Sequence, residues 1–220
     1  MPTLRIARTQ PDGTGLTRIC CEAPLDGHAT AGQFVAVHEG ELQPAYFALA
    51  NEPGEPAELL VKAQGGVSDV LAAAAPGASF SCTDPLGRGF LLDPDDTNPL
   101  VILAVGSGMS AVRPIIEAEV REGLPRPVHL LYGVFTEAHA AYAERFETWR
   151  RAGVNVHLVL SDPPAGWQGA TGFVQDAAVE LGLVRADVTV LAVGFPEMIA
   201  SIRTLYADAG APADAVKVNF

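Results

Sequence analysis

The chain has 220 residues, of which 49% are hydrophobic and 18% are charged, and this composition excludes an intrinsically disordered protein because it supplies enough apolar surface for a folded core. The formal net charge of −12 excludes the basic face that binding to nucleic acid requires. Three cysteines without a C-x-x-C motif, no apolar signal sequence and no apolar run of about 18 residues predict a cytoplasmic protein with free thiols and no membrane span.

The chain up to about residue 90 carries the pattern of short β-strands. Several segments alternate apolar and polar residues, and glycine, proline or aspartate lies between most of them. The predicted strands cover residues 3–10, 16–24, 33–39, 45–51, 57–64 and 78–84, and one short helix is predicted near 67–75. Short strands at this spacing are typical of an antiparallel sandwich or barrel.

The pattern changes after a segment rich in aspartate and proline at residues 91–99. From there, predicted strands alternate with predicted helices, which indicates a parallel α/β sheet. The strand at 100–105 is a continuous apolar run, as expected of a strand covered on both faces. The other predicted strands cover 128–133, 154–161, 188–193 and 215–220, and the predicted helices cover 110–122, 138–153, 174–182 and 196–210. We therefore predict two domains, residues 1–95 and 96–220.

A glycine-rich turn joins the first predicted strand and helix of the second half. Gly106, Gly108 and Ala111 satisfy the pattern G-x-G-x-x-G/A, in which glycines permit the turn and let backbone amides approach a pyrophosphate. The strand before the turn and the helix after it are the context that the motif requires. A tight structural corner explains the same residues, and no acidic residue ends the second strand to hold a ribose. Both interpretations stay open on the motif alone.

A series of five short segments extends along nearly the whole chain: AYFALAN (45–51), LVKAQGGVSDVL (60–71), PLGRGF (85–90), AVGSGMSAVRP (104–114) and AVGFPEM (192–198). In this order they resemble the flavin strand, the flavin-pyrophosphate turn, the closing loop of the barrel, the nicotinamide-nucleotide turn and the late nicotinamide turn of the ferredoxin–NADP⁺ reductase superfamily. Among its branches, the chain is most similar to small stand-alone reductase-like proteins that end in Asn-Phe.

The resemblance implies an all-β plus α/β fold, in which an N-terminal antiparallel six-stranded Greek-key β-barrel binds FAD or FMN and a parallel α/β domain binds NADH or NADPH. It also implies hydride transfer from nicotinamide to flavin, and electron transfer to an external acceptor that the sequence does not identify. Hydride transfer needs no proton-transfer residue, so neither a catalytic residue nor a metal ligand is predicted. The implied flavin contacts are Tyr46, Phe47, Ala48, Leu49, Ala50, Asn51, Val61, Lys62, Gly65, Gly66, Val67, Ser68 and Phe220. The implied nucleotide-edge contacts are Gly106, Ser107, Gly108, Met109, Tyr132, Gly133, Gly194, Phe195, Pro196, Glu197 and Met198.

The sequence departs from the family pattern at positions in the segments matched to the flavin strand and the nicotinamide turns. The family's flavin strand usually begins Arg-x-Tyr-Ser, and we match it to residues 45–48, so that the arginine, the tyrosine hydroxyl and the serine are missing while the Phe47 ring is kept for stacking. The family's late Cys-Gly is Val193-Gly194 here, and Phe135 stands where many relatives have an arginine, which favours NADH over NADPH. These losses leave an alternative open, a non-catalytic nucleotide-binding or regulatory module on the same fold.

Several candidate residues also have a structural interpretation. Ser68 can act as a helix N-cap, Ser107 as a solvated turn residue and Tyr132 as a core tyrosine, and Phe220 can be a loose or packed chain end. The five histidines show no metal-ligand spacing, and three cysteines are too few for an iron–sulfur cluster of four thiolates.

Overall fold

The computed structural model describes residues 1–219, and the predicted flavin contact Phe220 lies outside the described residues. The first half forms β1 (Thr3–Pro11), β2 (Leu16–Cys21), β3 (Phe34–His38), β4 (Ala45–Ala48), β5 (Glu58–Lys62), α1 (Val67–Ala72) and β6 (Ser79–Cys82). Neighbouring strands pair antiparallel in the order β4-β3-β6-β1-β2-β5. This confirms the predicted antiparallel first half.

The two edge strands of this sheet meet and close it into a barrel. An antiparallel bridge joins Leu49 to Leu59, and the Ala50 amide donates to the Glu58 carbonyl oxygen at 2.8 Å. Because successive side chains of a strand point to opposite faces, alternate residues fill the interior of the barrel. Its core includes Leu4, Ile6, Ile19, Val35, Val37, Phe47, Leu59 and Val61.

The second half alternates strands and helices. Its elements are β7 (Leu100–Val105), α2 (Met109–Arg121), β8 (Val128–Val134), α3 (Ala143–Ala152), β9 (Asn155–Leu160), β10 (Ala170–Thr171), α4 (Val174–Glu180), β11 (Thr189–Val193), α5 (Pro196–Asp208) and β12 (Val216–Lys217). All pairs are parallel, in the order β10-β9-β8-β7-β11-β12. None of the helices within residues 1–219 has the length and apolar character needed to cross a bilayer.

The strand order reverses at β7. The chain moves outward from β7 through β8 to β10, and then returns to the other side of β7 with β11. Helices α2 and α3 cover one face of the sheet, and α4 and α5 cover the other. The carboxyl ends of β7, β8 and β11 therefore lie side by side at a topological switch point, where open parallel sheets bind ligands. We call this edge the switch edge.

One predicted helix and one predicted strand length are wrong, and one short strand was missed. The helix predicted at 138–153 is a short 3₁₀ turn at Glu137–His139 followed by α3, because Tyr142 adopts a left-handed conformation with φ of 53°. The Tyr142 amide donates to Asp12 Oδ1 at 2.9 Å instead of continuing a helix. The sequence also missed the two-residue β10, and the predicted strand 215–220 shortens to β12.

The β1–β2 turn of the barrel contacts the segment before α3. The Thr14 amide donates to the Ala138 carbonyl oxygen at 2.7 Å, beside the bond between Asp12 and Tyr142. Backbone and side-chain hydrogen bonds thus join the two halves at a place remote in sequence.

Candidate functional site

Strand β4 presents one aromatic ring to solvent and buries the next. Tyr46 is 67% exposed, whereas Phe47 is 9% exposed and packs in the barrel core. The alternation of the strand turns the Phe47 ring toward the barrel core, so its expected contact with a flavin stays a prediction that burial does not favour. The ring available for stacking is that of Tyr46.

The same alternation moves the match to the family pattern by one residue. If Tyr46 is the family's tyrosine, Pro44 stands at its arginine and Phe47 at its serine. A one-residue shift exchanges the two faces of a strand, so side-chain direction decides between the two matches. The tyrosine hydroxyl that the sequence match treated as missing is present, while the arginine and the serine are still absent.

Tyr46 borders an open pocket of about 410 Å³ on the outside of the barrel, which we call the barrel groove. The other lining residues are Phe34, Phe47, Ala48 and Asn219. The rings of Phe34 and Tyr46 meet edge to face, with centroids 6.0 Å apart. Asn219 reaches the groove because its side-chain amide donates to the Gly32 carbonyl oxygen at 2.9 Å. The groove is thus mostly apolar, with an exposed ring suited to stacking on a planar ligand.

A tight turn precedes α1. Gly65 and Gly66 have φ of 101° and 61°, which a residue with a Cβ rarely adopts. The Gly65 amide donates to Asp69 Oδ1 at 2.8 Å, and the Ser68 hydroxyl donates to the Gly65 carbonyl oxygen at 2.7 Å. Within residues 1–219, the amides of Gly66 and Val67 make no backbone hydrogen bond. The turn therefore offers backbone donors, but the Ser68 hydroxyl is used inside the turn.

Five other predicted flavin contacts have structural side chains. Leu49, Ala50, Val61 and Val67 are buried, so only their backbone atoms can meet a ligand. The side chain of Asn51 holds its own loop: Oδ1 accepts from the Glu58 amide at 3.0 Å, and Nδ2 donates to two loop carbonyl oxygens. By contrast, Lys62 is exposed.

At the switch edge, residues Gly106–Gly108 form a 3₁₀ turn that leads into α2. The Tyr132 hydroxyl donates to the Gly106 carbonyl oxygen at 2.8 Å and accepts from the Ala141 amide at 3.2 Å. Tyr132 is fully buried, and burial raises its pKa, so the phenol stays protonated. Its side chain is a core group that holds the turn. Met109 is likewise buried.

Three glycines let the ends of the strands come together. A Cβ would lie 2.8 Å from Val193 Cγ1 at Gly108, 2.9 Å from Val105 Cγ1 at Gly133 and 2.7 Å from Met198 Cε at Gly194. Real Cβ atoms do not approach so closely, so each position requires glycine or a shift of its neighbour. A Cβ at Gly106 would meet nothing within 4 Å. The outer side of the turn is therefore open to a ligand.

Three exposed aromatic rings follow strands of the parallel sheet. Phe135 is 57% exposed after β8, Phe195 is 70% exposed after β11, and Phe173 is 64% exposed between β10 and α4. Pro196 and Glu197 are also exposed. Large exposed apolar side chains in a group mark binding surfaces more often than isolated ones do. Sequence reasoning missed Phe173, although an aromatic residue between a Gly and a helix start was a usable signal.

The two buried cysteines supply no thiolate nucleophile. Burial raises the pKa of Cys21 to about 12 and that of Cys82 to about 11, so both thiols stay protonated. Within residues 1–219, no group of three or more His, Cys, Asp or Glu side chains is placed to hold a metal ion. The arrangement is one of apolar surfaces, backbone donors and aromatic rings.

Comparison with known proteins gives a family match for the second half of the chain. Residues 102–204 match the family model of the oxidoreductase NAD-binding domain. The fruit protein pKIWI502 of Actinidia deliciosa is 33% identical over 206 residues, which are 86% of this chain and 65% of that protein. Ferredoxin–NADP reductase B of Sorangium cellulosum is 29% identical over 160 residues, which are 69% of this chain and 65% of that protein. The chain thus spans about 65% of the length of these curated relatives.

The fold as a whole matches a solved reductase. The cytochrome P450 reductase GcoB of Amycolatopsis superposes with a TM-score of 0.88 at 24% identity, covering 99% of this chain and 69% of that one. A closed antiparallel barrel followed by a parallel sheet is the architecture that this chain shares with that reductase, and the NAD-binding family match lies in the parallel half. The chain is thus similar to proteins of the ferredoxin–NADP⁺ reductase-like superfamily in fold and, over residues 102–204, in its NAD-binding family match.

Proposed function

We propose that this chain is a flavin-dependent NAD(P)H oxidoreductase. In this proposal, the barrel groove holds the ring system of FAD or FMN, and the switch edge holds the nicotinamide nucleotide, with the domain boundary near residue 95. The observation that carries the proposal is the exposed Tyr46 ring on the outward face of β4, beside an open pocket of about 410 Å³. A large ring exposed at such a pocket has no role in the barrel core.

The residues of the groove suit a flavin in shape more than in charge. Tyr46 offers a face for stacking, and Ala48 leaves room beside it. The free amides of Gly66 and Val67 are donors for a pyrophosphate. Because Pro44 replaces the family's arginine, the phosphate loses a charge-assisted hydrogen bond. We therefore expect weaker flavin binding than in relatives that keep the arginine.

The switch edge suits a dinucleotide through its backbone. The open side of Gly106 allows close approach of a phosphate, and Gly108 lets the turn pack on β11. After β8, Phe135 offers a ring and Glu137 a negative charge, where a 2′-phosphate would need a cation. These residues favour NADH over NADPH.

A flavin held in the barrel groove and a nicotinamide nucleotide held at the switch edge would supply hydride transfer between them and electron transfer to an external acceptor. The residues of the chain would orient the two rings and line a mostly apolar groove. We propose a neutral or basic acceptor, because a net charge of −12 repels an acidic one.

A second candidate is a nucleotide-binding regulatory module without turnover. Two observations favour it: Pro44 and Phe47 stand where the family has its arginine and serine, and the Ser68 hydroxyl is bound inside its own turn. This candidate predicts that the protein binds NADH but that no bound flavin is reduced.

A matched pair of substitutions tests the groove. Tyr46→Leu removes an exposed ring and should weaken flavin affinity about 10-fold, since aromatic stacking contributes about 1–1.5 kcal/mol. Phe47→Leu changes the neighbouring ring, which is mostly buried in the barrel core, and should lower the melting temperature while weakening flavin affinity less than Tyr46→Leu does. Fluorescence quenching of added FAD and FMN measures the flavin affinity of each variant, and thermal unfolding measures its melting temperature.

Anaerobic mixing with NADH then separates the two candidates. Bleaching of the flavin absorption band supports the oxidoreductase. Flavin binding without bleaching supports the regulatory module. A protein that binds neither FAD nor FMN overturns the proposed function.

A further inference from the structure

We propose that Arg113 is a positioning residue. It fixes the Gly106–Gly108 turn, at the proposed nucleotide site, relative to β4, which carries the proposed flavin contact Tyr46. The inference rests on the proposed function, because it concerns how the two cofactor sites are held in register. Arg113 lies on α2, five residues after Gly108, which places it about 7.5 Å along the helix from the turn. Helix α2 begins directly after the Gly106–Gly108 turn, so movement of α2 moves the turn.

The Arg113 guanidinium joins α2 to both edge strands of the barrel. Its Nη1 donates to the Ala50 carbonyl oxygen at 2.9 Å and to Glu58 Oε1 at 2.8 Å. Ala50 lies two residues beyond the end of β4, the strand that carries Tyr46, and Glu58 begins β5. These are the residues at which the barrel closes, since the Ala50 amide donates to the Glu58 carbonyl oxygen. One side chain therefore binds the closure of the barrel to the helix of the switch edge.

Tyr142 contacts both the Arg113 guanidinium and its partner Glu58. Its hydroxyl donates to the same Glu58 Oε1 at 2.9 Å. Its ring makes cation–π contacts with two guanidinium groups, Arg18 at 4.2 Å and Arg113 at 5.0 Å from the centroid. The left-handed backbone of Tyr142 allows this placement while its amide donates to Asp12. We call Arg113, Glu58 and Tyr142, with Arg18 and Asp12, the interdomain latch.

Orientation is the property that such a latch provides best. The side chains of Arg113 and Glu58 are 22% and 13% exposed, so their pairing is largely removed from water. The desolvation of a buried ion pair offsets most of its attraction, which makes it a poor source of stability. Its directional hydrogen bonds nevertheless permit only a narrow range of relative positions.

Hydride transfer is sensitive to that position. Reacting atoms must approach to about 3–3.5 Å, and a misplacement of about 1 Å reduces the rate about 100-fold. Tyr46 and the Gly106–Gly108 turn belong to different halves of the chain, so their separation depends on interdomain contacts. The latch connects the end of β4 in the first half to α2 in the second half.

The test compares two arginines of the same helix. Arg113→Gln breaks the latch, whereas Arg121→Gln breaks an ion pair with Glu52 that also joins α2 to the barrel half but is exposed. We expect R113Q to slow reduction of bound flavin by NADH about 10- to 100-fold, with flavin and NADH affinities within about 3-fold of the parent. It should also lose the long-wavelength charge-transfer absorbance of stacked nicotinamide and flavin rings. Arg113→Lys, which keeps the charge, should recover part of both signals, and R121Q should keep both.

Three outcomes overturn the inference. They are a parental reduction rate in R113Q, an equal loss of rate in R121Q, and a loss of rate that is fully explained by weaker cofactor binding. Should R113Q fail to fold, Tyr142→Phe replaces it, because it removes a single hydrogen bond to Glu58 and should slow reduction about 3-fold. A parental rate in that folded variant counts against the latch.

A measurement without cofactors separates this inference from the proposed function. In the apoprotein, amide hydrogen exchange at residues 49–51 and 58–60 should be faster in R113Q than in R121Q, because Arg113 holds the barrel closure. If the parent protein shows no reduction by NADH, the proposed function fails while the exchange data still decide whether Arg113 fixes the closure. Equal exchange in the two variants overturns the latch.

Discussion

Two buried tyrosines of the α/β half should respond oppositely to loss of the hydroxyl group. Tyr132 and Tyr206 are both at most 1% exposed. The Tyr132 hydroxyl makes two hydrogen bonds, to Gly106 and Ala141. The Tyr206 hydroxyl is buried and finds no hydrogen-bond partner among residues 1–219. Phenylalanine replaces either ring without a change of shape, so the comparison isolates the hydroxyl.

The magnitude follows from the groups left unpaired. In Tyr132→Phe, the Ala141 amide loses its acceptor and the Gly106 carbonyl loses a donor, and a buried unpaired group costs about 1–3 kcal/mol. Water reaches the partly exposed Gly106, so we expect a loss of about 2–3 kcal/mol in the free energy of unfolding. This corresponds to a fall of about 4–12 °C in melting temperature for a chain of this length. Tyr206→Phe removes an unpaired polar group and should be neutral or slightly stabilising.

Urea and thermal unfolding of the parent and the two variants measure both effects. A second readout is NADH affinity, which should fall in Tyr132→Phe because the Gly106 turn loses its support, and should stay unchanged in Tyr206→Phe. Equal stability of the two variants would refute the assignment of Tyr132 as the residue that holds the turn. Weaker NADH binding at unchanged stability would point instead to direct contact between Tyr132 and the nucleotide.

Three further predictions concern the loop, the turn and pH. Asn51→Ala should cost about 2–4 kcal/mol of unfolding free energy, because several buried hydrogen bonds are lost; a fall in flavin affinity without loss of stability would contradict this role. Gly108→Ala should lower the melting temperature by overpacking against Val193, and adding Val193→Ala should restore part of it, because the contact with the Val193 backbone oxygen remains; no rescue by the second change would refute the side-chain clash. Burial lowers the pKa of His129 and His157, so the unfolded chain binds more protons and stability should fall as pH drops through about 6.5, by at most about 1.4 kcal/mol per pH unit for each histidine. Urea midpoints at about pH 7.5 and 5.5 should differ less in a variant with asparagine at both positions, and an unchanged difference would argue against the histidines.

The architecture was predictable because local patterns and tertiary packing agree. The run at 100–105 is apolar throughout, and β7 is a central parallel strand with the same bounds. The break before α3 was not predictable. Residues around 138–143 are rich in alanine, and only contact with Asp12, 130 residues away in sequence, turns Tyr142 out of a helix.

The site was predictable in location but not in side-chain direction. AYFALAN is apolar at nearly every position, so periodicity does not fix which residues face the barrel core. With aromatic residues at both 46 and 47, the sequence alone does not choose the stacking ring. The latch could not be predicted from the sequence, because pairing Arg113 with Ala50 and Glu58 requires knowledge of how the two halves meet.

The location of the flavin is the claim on which the other proposals depend. A crystal structure of the protein grown with saturating FAD tests it most directly. The account predicts the flavin ring in the barrel groove against Tyr46, with its pyrophosphate at the amides of Gly66 and Val67. A groove without flavin density under these conditions, or a flavin bound away from β4, would contradict it.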